Sequence, residues 1–421
     1  MTAQRWFTPT IVHGAALVLG FVAIMVIGRD QWFFGDDWAI LAPRLDDDVM
    51  LPHVGHWNLV PALVFPLLRD WFGLGSYLPF LALAVIVHLV VVHLLWRVLL
   101  RVGVAPWLAT VLGVLVTLFG GGAENILWAF QFGFMGAIAA GLGVALLFDR
   151  DRLTRFTIPA IVLLALVAPM FSGTAIPVLA AAAITGWVRH GFWRAAVLMV
   201  PTAVAYLSWY LLVARDYAVP SAGITDVTDL LTAVVYAGAM YGGGLGRALP
   251  FIGLGVLPAL AVIVWFVRTV RAGIDGRRTL AYAMVLGSIV FVLLTTWSRL
   301  SFGISAAAAQ RYAYVTVVLL LPALGLMLTG LLVRSRAWSV ATLAVVGALA
   351  LFNAGLLVVE AGLQSAREAG SRERVLDSLE HVLDAPDDAT LLDSPADPTW
   401  APDLLGSDLL ELESRGEAPR R

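Results

Sequence analysis

Cysteine and lysine are both absent from this chain of 421 residues, and charged residues of either sign make up only 13% of it. Without cysteine there can be no disulfide, no thiolate metal site and no thiol nucleophile. All 27 basic residues are therefore arginine. Together with abundant alanine, leucine, valine and glycine, this matches a chain from a GC-rich bacterial genome. The net charge of −2 provides no overall basic field for nucleic acid. Hydrophobic residues fill 60% of the sequence and its mean hydropathy is +0.88. A soluble domain is about half apolar and about a quarter charged. One soluble core is excluded, whereas the length suffices for roughly ten membrane spans of about 20 residues.

Apolar runs between charged or Gly/Pro punctuation predict eleven spans. They lie near 11–28, 76–96, 103–120, 131–148, 156–171, 174–188, 195–213, 250–267, 279–297, 311–332 and 339–359. Residues 156–188 have a second reading as one bent hairpin, because both pieces are short and Pro169 and Pro177 interrupt them. Two further stretches, 58–74 and 230–247, are hydrophobic but broken by Pro, Arg or a Gly run, and read as helices lying in or dipping into the interface. The expected fold class is all-α. A polytopic bundle covers residues 1–359, with an external loop at 29–75, and an extracytoplasmic tail covers 360–421.

Arginine sets the orientation. With the N-terminus inside, the cytoplasmic loops hold 14 Arg and the external loops before residue 360 hold 7, while acidic residues divide 3 inside and 11 outside. This positive-inside pattern, with an odd number of spans, puts the tail outside a bacterial plasma membrane. Arg5 precedes the first span as in a signal peptide. The residues that follow it, Gly28-Arg29-Asp30-Gln31-Trp32, offer no small-residue cleavage site, so the span is expected to stay. The tail carries 15 acidic and 6 basic residues. Leu363, Val375, Leu379 and Leu383 at helical spacing predict a helix over 361–384, and the Pro-, Asp- and Ser-rich remainder predicts loose order. Contact with an acceptor or partner is the other reading of that segment.

If most spans merely fill lipid, chemistry belongs where polar groups gather. They gather at four external places. The first is Phe33-Phe34-Gly35-Asp36-Asp37-Trp38, two carboxylates among aromatics that seat the loop at headgroup level. Partial desolvation and a like-charged neighbour raise a carboxylate's pKa there and suit it to general base work; a solvated acidic loop with a Trp belt is the bland alternative. The same loop continues through Asp46-Asp47-Asp48, read as a solvated turn, to His53-Val54-Gly55-His56-Trp57-Asn58. His53 and His56 could bind a metal with the aspartates or donate hydrogen bonds to a phosphate or sugar hydroxyl. No strong metal spacing is present, and no cofactor is expected.

The second place is Gly120-Gly121-Gly122-Ala123-Glu124-Asn125, a tight turn followed by Trp128 and Gln131. Glu124 either caps the next span or contacts a sugar hydroxyl. The third, Phe171-Ser172-Gly173-Thr174, reads as a buried turn satisfied by its own hydroxyls. The fourth runs from Trp297-Ser298-Arg299-Leu300-Ser301-Phe302-Gly303 to Gln310-Arg311-Tyr312. Nothing acidic lies between residues 276 and 359 to pair locally with Arg299 or Arg311. Such guanidinium groups suit a bidentate phosphate contact; snorkelling to lipid headgroups or pairing with distant Asp36 or Asp37 are the alternatives.

A carboxylate pair just past the first span of an N-in, C-out bundle resembles the GT-C glycosyltransferases, integral membrane enzymes that take sugars from polyprenyl-phosphate donors. The strings Phe34-Gly35-Asp36-Asp37-Trp38, His53 to Asn58, Trp128-Ala129-Phe130-Gln131-Phe132 and Arg299-Leu300-Ser301-Phe302-Gly303 to Arg311-Tyr312 are similar to bacterial, notably actinobacterial, members across roughly residues 1–350. The resemblance implies Asp36 as catalytic base, with Asp37 second, and Arg311 and Arg299 on the donor phosphate. It also implies inverting transfer of a hexosyl or pentosyl group to a cell-envelope glycan or glycolipid, with His53, His56, Asn58, Glu124, Trp128, Gln131 and Tyr312 as further substrate contacts. The chain departs from the family in having only the tail where a large external domain is expected, so acceptor recognition is expected to come from the loops. A lipid-linked-sugar flippase or transporter, for which His88 and His93 are the mid-span ionisable candidates, and a non-catalytic subunit of an envelope-synthesis complex are the rival functions.

Overall fold

The computed structural model describes residues 8–42, 49–217 and 226–420. Arg5 and Asp46-Asp47-Asp48 lie outside the described residues. The chain is nearly all helical: α1 (Pro9–Ile27), α2 (Asp36–Leu41), α3 (Leu59–Phe72), α4 (Leu78–Val102), α5 (Pro106–Thr117), α6 (Ala123–Leu127), α7 (Phe132–Phe148), α8 (Thr157–Phe171) and α9 (Ala175–His190). There follow α10 (Phe192–Leu212), α11 (Val227–Gly246), α12 (Val256–Ala272), α13 (Thr279–Arg299), α14 (Gln310–Leu332), α15 (Arg336–Asp384) and α16 (Ala389–Leu392). A two-stranded antiparallel sheet, β1 (Pro395–Asp397) and β2 (Ala401–Leu405), leads into α17 (Gly406–Ser414).

Among the described residues eight helices are long and apolar enough to cross a bilayer: α1, α4, α7 with the turn before it (Ala129–Phe148), α10, α12 with the turn before it (Ile252–Ala272), α13, α14 and α15. The number rises to nine if α5 and the segment Gly120–Leu127, bent by 47°, form one broken span. The chain is a multi-pass membrane protein, with fewer full-length spans than the eleven apolar runs predict. The shortfall is one of length. At about 1.5 Å per residue, the 15 residues of α8 and 16 of α9 fall short of a hydrocarbon core about 30 Å thick. Both pack on α7, which is buried nearly all round at the centre of the bundle. The outward faces of α1 (Val18, Leu19, Val22), α10 (Val197, Val204, Leu207) and α12 (Leu257, Ile263, Val264) stay exposed, as surfaces solvated by lipid do.

The break between α5 and α6 has a specific chemistry. The carbonyl of Thr117, the last residue of α5, is left without a helical donor and lies 3.1 Å from His88 Nε2, while His88 Nδ1 lies 2.8 Å from the Tyr314 hydroxyl. A carbonyl only accepts, so Nε2 carries the proton and Nδ1 accepts from the tyrosine. His88 is thus fully used in holding the kink, and His93 is stacked within a cluster with His13 and Trp96. Gly120 makes the packing possible: a Cβ there would lie 2.5 Å from the Asn353 carbonyl oxygen on α15. At the far end of α7, buried Asp149 accepts hydrogen bonds from Arg101 (2.7 Å) and Arg189 (2.8 and 2.9 Å), tying α4, α7 and α9 together.

The tail's first half forms the helix that its apolar spacing predicts over 361–384, and its second half departs from the expected loose order. α15 runs unbroken for 49 residues, from the apolar span through charged residues beginning at Glu360. Its second half, with β1, β2 and α17, buries a small core of Val375, Leu379, Val382, Ala401, Leu404, Leu409 and Leu412. This unit is fastened to the bundle. Glu368 accepts from the Trp32 amide (2.7 Å), Gln31 donates to the Ala361 carbonyl (2.9 Å), and Ser365 donates to the Asp30 carbonyl (3.0 Å). Arg69 on α3, itself buried, pairs with Glu417 (2.9 Å) and donates to the carbonyl of Leu41 (3.2 Å) at the end of α2.

Candidate functional site

The site grows from α2. Gly35 turns the chain into that helix at φ +56°, a conformation that favours glycine, and a Cβ there would lie 3.3 Å from the Trp128 ring. The turn separates two adjacent carboxylates. Asp37 points inward and is completely buried, accepting from the Tyr77 hydroxyl (3.1 Å) and from the amides of Phe130 (3.1 Å) and Phe34 (3.3 Å). Burial lifts its pKa well above the ordinary carboxylate range, reinforced by the nearby Glu368 charge and opposed by the Phe34 and Tyr77 hydrogen bonds. It joins the start of α4 to the turn before α7 and lines neither cavity described below. Asp36 points the other way, its Oδ1 2.9 Å from His53 Nε2.

His53 and His56 face each other across a two-residue turn, with amide-to-carbonyl hydrogen bonds of 3.1 and 2.9 Å. Both turn residues have positive φ, +48° at Val54 and +79° at Gly55. The pattern belongs to a primed hairpin turn, and it places a β-branched residue where such residues are strained. Trp57 stacks on Trp209 of α10, whose indole donates to the Met50 carbonyl (2.8 Å), pinning this loop to the bundle. His56 has its pKa pushed down to about 4, by burial first and then by the neighbouring Arg299 charge. Arg299 itself donates to the Val54 carbonyl (3.3 Å).

Arg311 is not left with a distant aspartate. Its guanidinium pairs with Glu124, its backbone amide donates to the same carboxylate (3.3 Å), and Gln310 Oε1 accepts from the Glu124 amide (2.9 Å). The acidic residue expected to cap a span or meet a sugar is therefore the partner of the arginine.

Three cavities open among these groups. The first, about 180 Å³, is lined by Asp36, His53, His56, Gln131, Thr174, Ser298, Arg299, Arg311 and Tyr312 with four phenylalanines, Phe130, Phe134, Phe291 and Phe302. The second, about 480 Å³, is lined by Phe34, Asp36, Glu124, Trp128, Arg247 and Arg311 and, from the tail, by Glu360, Gln364, Arg367, Glu368, Trp400 and Asp403. Asp36 and Arg311 are the only residues common to both linings. A third, about 460 Å³, continues the first past Val54, His56, Thr174 and Arg299 to Tyr206, Tyr210 and Trp297 near the exposed flank of α10.

Of the residues singled out in the sequence, Asp36, His53, His56, Gln131, Arg299, Arg311 and Tyr312 converge on the first cavity, and Glu124 and Trp128 stand in the wall of the second. Asn58, buried at the start of α3, and Asp37 lie apart from both. Sequence reading missed Arg247 and the tail residues. One signal was available: Trp400 is the only aromatic residue between 360 and 421. Among the described residues no three His, Asp or Glu side chains gather as metal ligands would. A carboxylate backed by an imidazole, opposite two arginines in an aromatic-walled cavity, can take a proton on one side and hold an anion on the other. Comparison with family models, curated proteins and solved structures returns no match.

Proposed function

We propose that this chain is a membrane glycosyltransferase that moves a sugar from a polyprenyl-phosphate donor to an acceptor hydroxyl with inversion, on the extracytoplasmic side. One observation carries the reading: a single carboxylate and a single guanidinium, Asp36 and Arg311, border two separate cavities. In the first, the donor phosphate sits between Arg299 and Arg311, and the prenyl chain leaves along the phenylalanines toward the lipid-facing side. The acceptor oxygen bonds to the anomeric carbon while the carbon–oxygen bond to phosphate breaks and its electron pair departs with the phosphate. Asp36 takes the acceptor's proton, with the His53 imidazole beside it. The transition state is oxocarbenium-like, and the charge growing on the phosphate falls on the two arginines. The arginine distribution supports the sidedness, since this end of the bundle carries few.

The test is purified protein in nanodiscs with a radiolabelled polyprenyl-phosphate sugar and an acceptor. Asp36→Asn loses transfer by about 10²–10⁴-fold while still binding donor. Wild-type-like turnover by that variant rejects the mechanism, and absence of any sugar transfer by the wild type across donor sugars rejects the class.

A further inference from the structure

We infer that the second cavity is the acceptor site, that it takes a neutral, hydroxyl-rich sugar, and that the folded tail rather than the helix bundle sets the choice of acceptor. This rests on the glycosyltransferase reading above. The cavity is built from two sources: Asp36, Trp128 and Arg311 come from the bundle, and Glu360, Trp400 and Asp403 from the tail. Its chemistry is that of a sugar site. Trp128 stacks on Phe34 (4.8 Å between ring centres), and Trp400 meets Phe34 edge-on (6.2 Å), which makes an aromatic wall for the apolar face of a pyranose or furanose. Trp128 is 6% exposed, and its indole N–H has no acceptor among the described residues.

Charge narrows the ligand further. Five carboxylates and three arginines line the cavity, and Arg311 is already paired with Glu124. Carboxylates accept hydrogen bonds from hydroxyls and repel anions, so an uronate or sugar phosphate is disfavoured. The tail is also tied to the reacting group, because the Trp400 carbonyl accepts from the amide of Gly35, the residue before Asp36 (2.5 Å). A sugar stacked on Trp400 therefore lies beside the backbone that holds the base. Its hydroxyl gives its proton to Asp36 as the oxygen bonds to the donor's anomeric carbon.

The experiment uses the full chain in nanodiscs with a polyprenyl-phosphate sugar and two acceptors, a neutral disaccharide glycoside and its uronic-acid counterpart. Trp400→Ala should raise KM for the neutral acceptor about tenfold, the scale of one aromatic contact, with donor KM unchanged, and Trp400→Phe should restore most of it. Asp403→Asn should narrow the preference for neutral over uronate acceptor. An unchanged acceptor KM in Trp400→Ala, or a wild-type preference for the uronate, overturns this inference alone provided that donor is still consumed. Failure of the wild type to bind or consume any donor instead overturns the underlying reading. Wild-type-like thermal melting and donor binding by Trp400→Ala, measured in the same nanodiscs, show that the variant is folded.

Discussion

Arg311 and Glu124, 187 residues apart in the chain, form one ion pair in which the arginine's backbone amide and guanidinium both engage the carboxylate. The pair fixes the start of α14 against α6 and presents the guanidinium to both cavities. Arg311→Ala is expected to weaken binding of polyprenyl phosphate on the order of 10- to 100-fold, the range for hydrogen bonds to a charged group, with a smaller effect on acceptor. Glu124→Gln removes the competing carboxylate charge and should tighten phosphate binding. Titration of each variant with polyprenyl phosphate and with acceptor decides it, and equal losses on both ligands in Arg311→Ala would count against the phosphate role.

Arg69 bonds to the end of α2 and to Glu417 near the end of the chain. Removing one partner of a buried pair costs about 3 kcal/mol or more. Arg69→Met should therefore free the tail, seen as faster amide exchange across α17 and the β1–β2 hairpin. Exchange at the wild-type rate would show that the hydrogen bonds from Gln31, Trp32 and Ser365 suffice alone.

Val54 holds φ +48° in the hairpin that carries His53 and His56. The left-handed conformation costs an ordinary L-residue roughly 1–2 kcal/mol, and more than asparagine, which visits it readily. Val54→Asn is expected to raise stability by about 1 kcal/mol and to slow exchange at the His53 and His56 amides. Lower stability in this variant would mean that the valine side chain's packing outweighs its strain.

Glu368, beyond the apolar part of α15, has its carboxyl pushed up to about 7 by burial, partly offset by hydrogen bonds from Gln364 and Trp32. A folded pKa above the unfolded value near 4.5 means that the folded state holds the extra proton between the two. The contribution of Glu368 to attachment of the tail is then greatest below about pH 4.5, weakens as pH rises to about 7, and stays at the weaker level above, a difference on the order of 3 kcal/mol. Glu368→Gln should flatten that part of the pH profile of tail exchange, with Gln364 turning its amide to keep the contact. An unchanged profile would assign the dependence to other groups.

The spans were legible because lipid demands long apolar runs, and α1, α4, α7 and α10 through α15 fall close to the runs that predict them, α11 excepted. The site's polar members were legible because few polar groups sit between those runs, so Asp36, His53, Arg299 and Arg311 stood out. Their partners were not. No local pattern couples Glu124 to Arg311, and the opposite fates of Asp36 and Asp37 depend on which way one helical turn faces Tyr77 and Phe130. The tail's fold was hidden in part, for a different reason. Its helix over 361–384 was legible in the spacing of Leu363, Val375, Leu379 and Leu383; what was hidden is that this helix continues the last span without a break, and that sparse apolar residues such as Leu404 and Leu412 give the hairpin and α17 a core.

That continuity makes α15 a lever. The stretch embedded in lipid and the stretch that forms one wall of the second cavity are a single unbroken helix whose distal half extends about 37 Å. A thicker bilayer, which changes the tilt of a span to match its apolar length, is expected to load the hydrogen bonds of Gln31, Trp32 and Ser365 that fasten this helix beside α2. The width of the second cavity is therefore expected to vary with bilayer thickness, which acceptor KM in nanodiscs of short- and long-chain lipids checks.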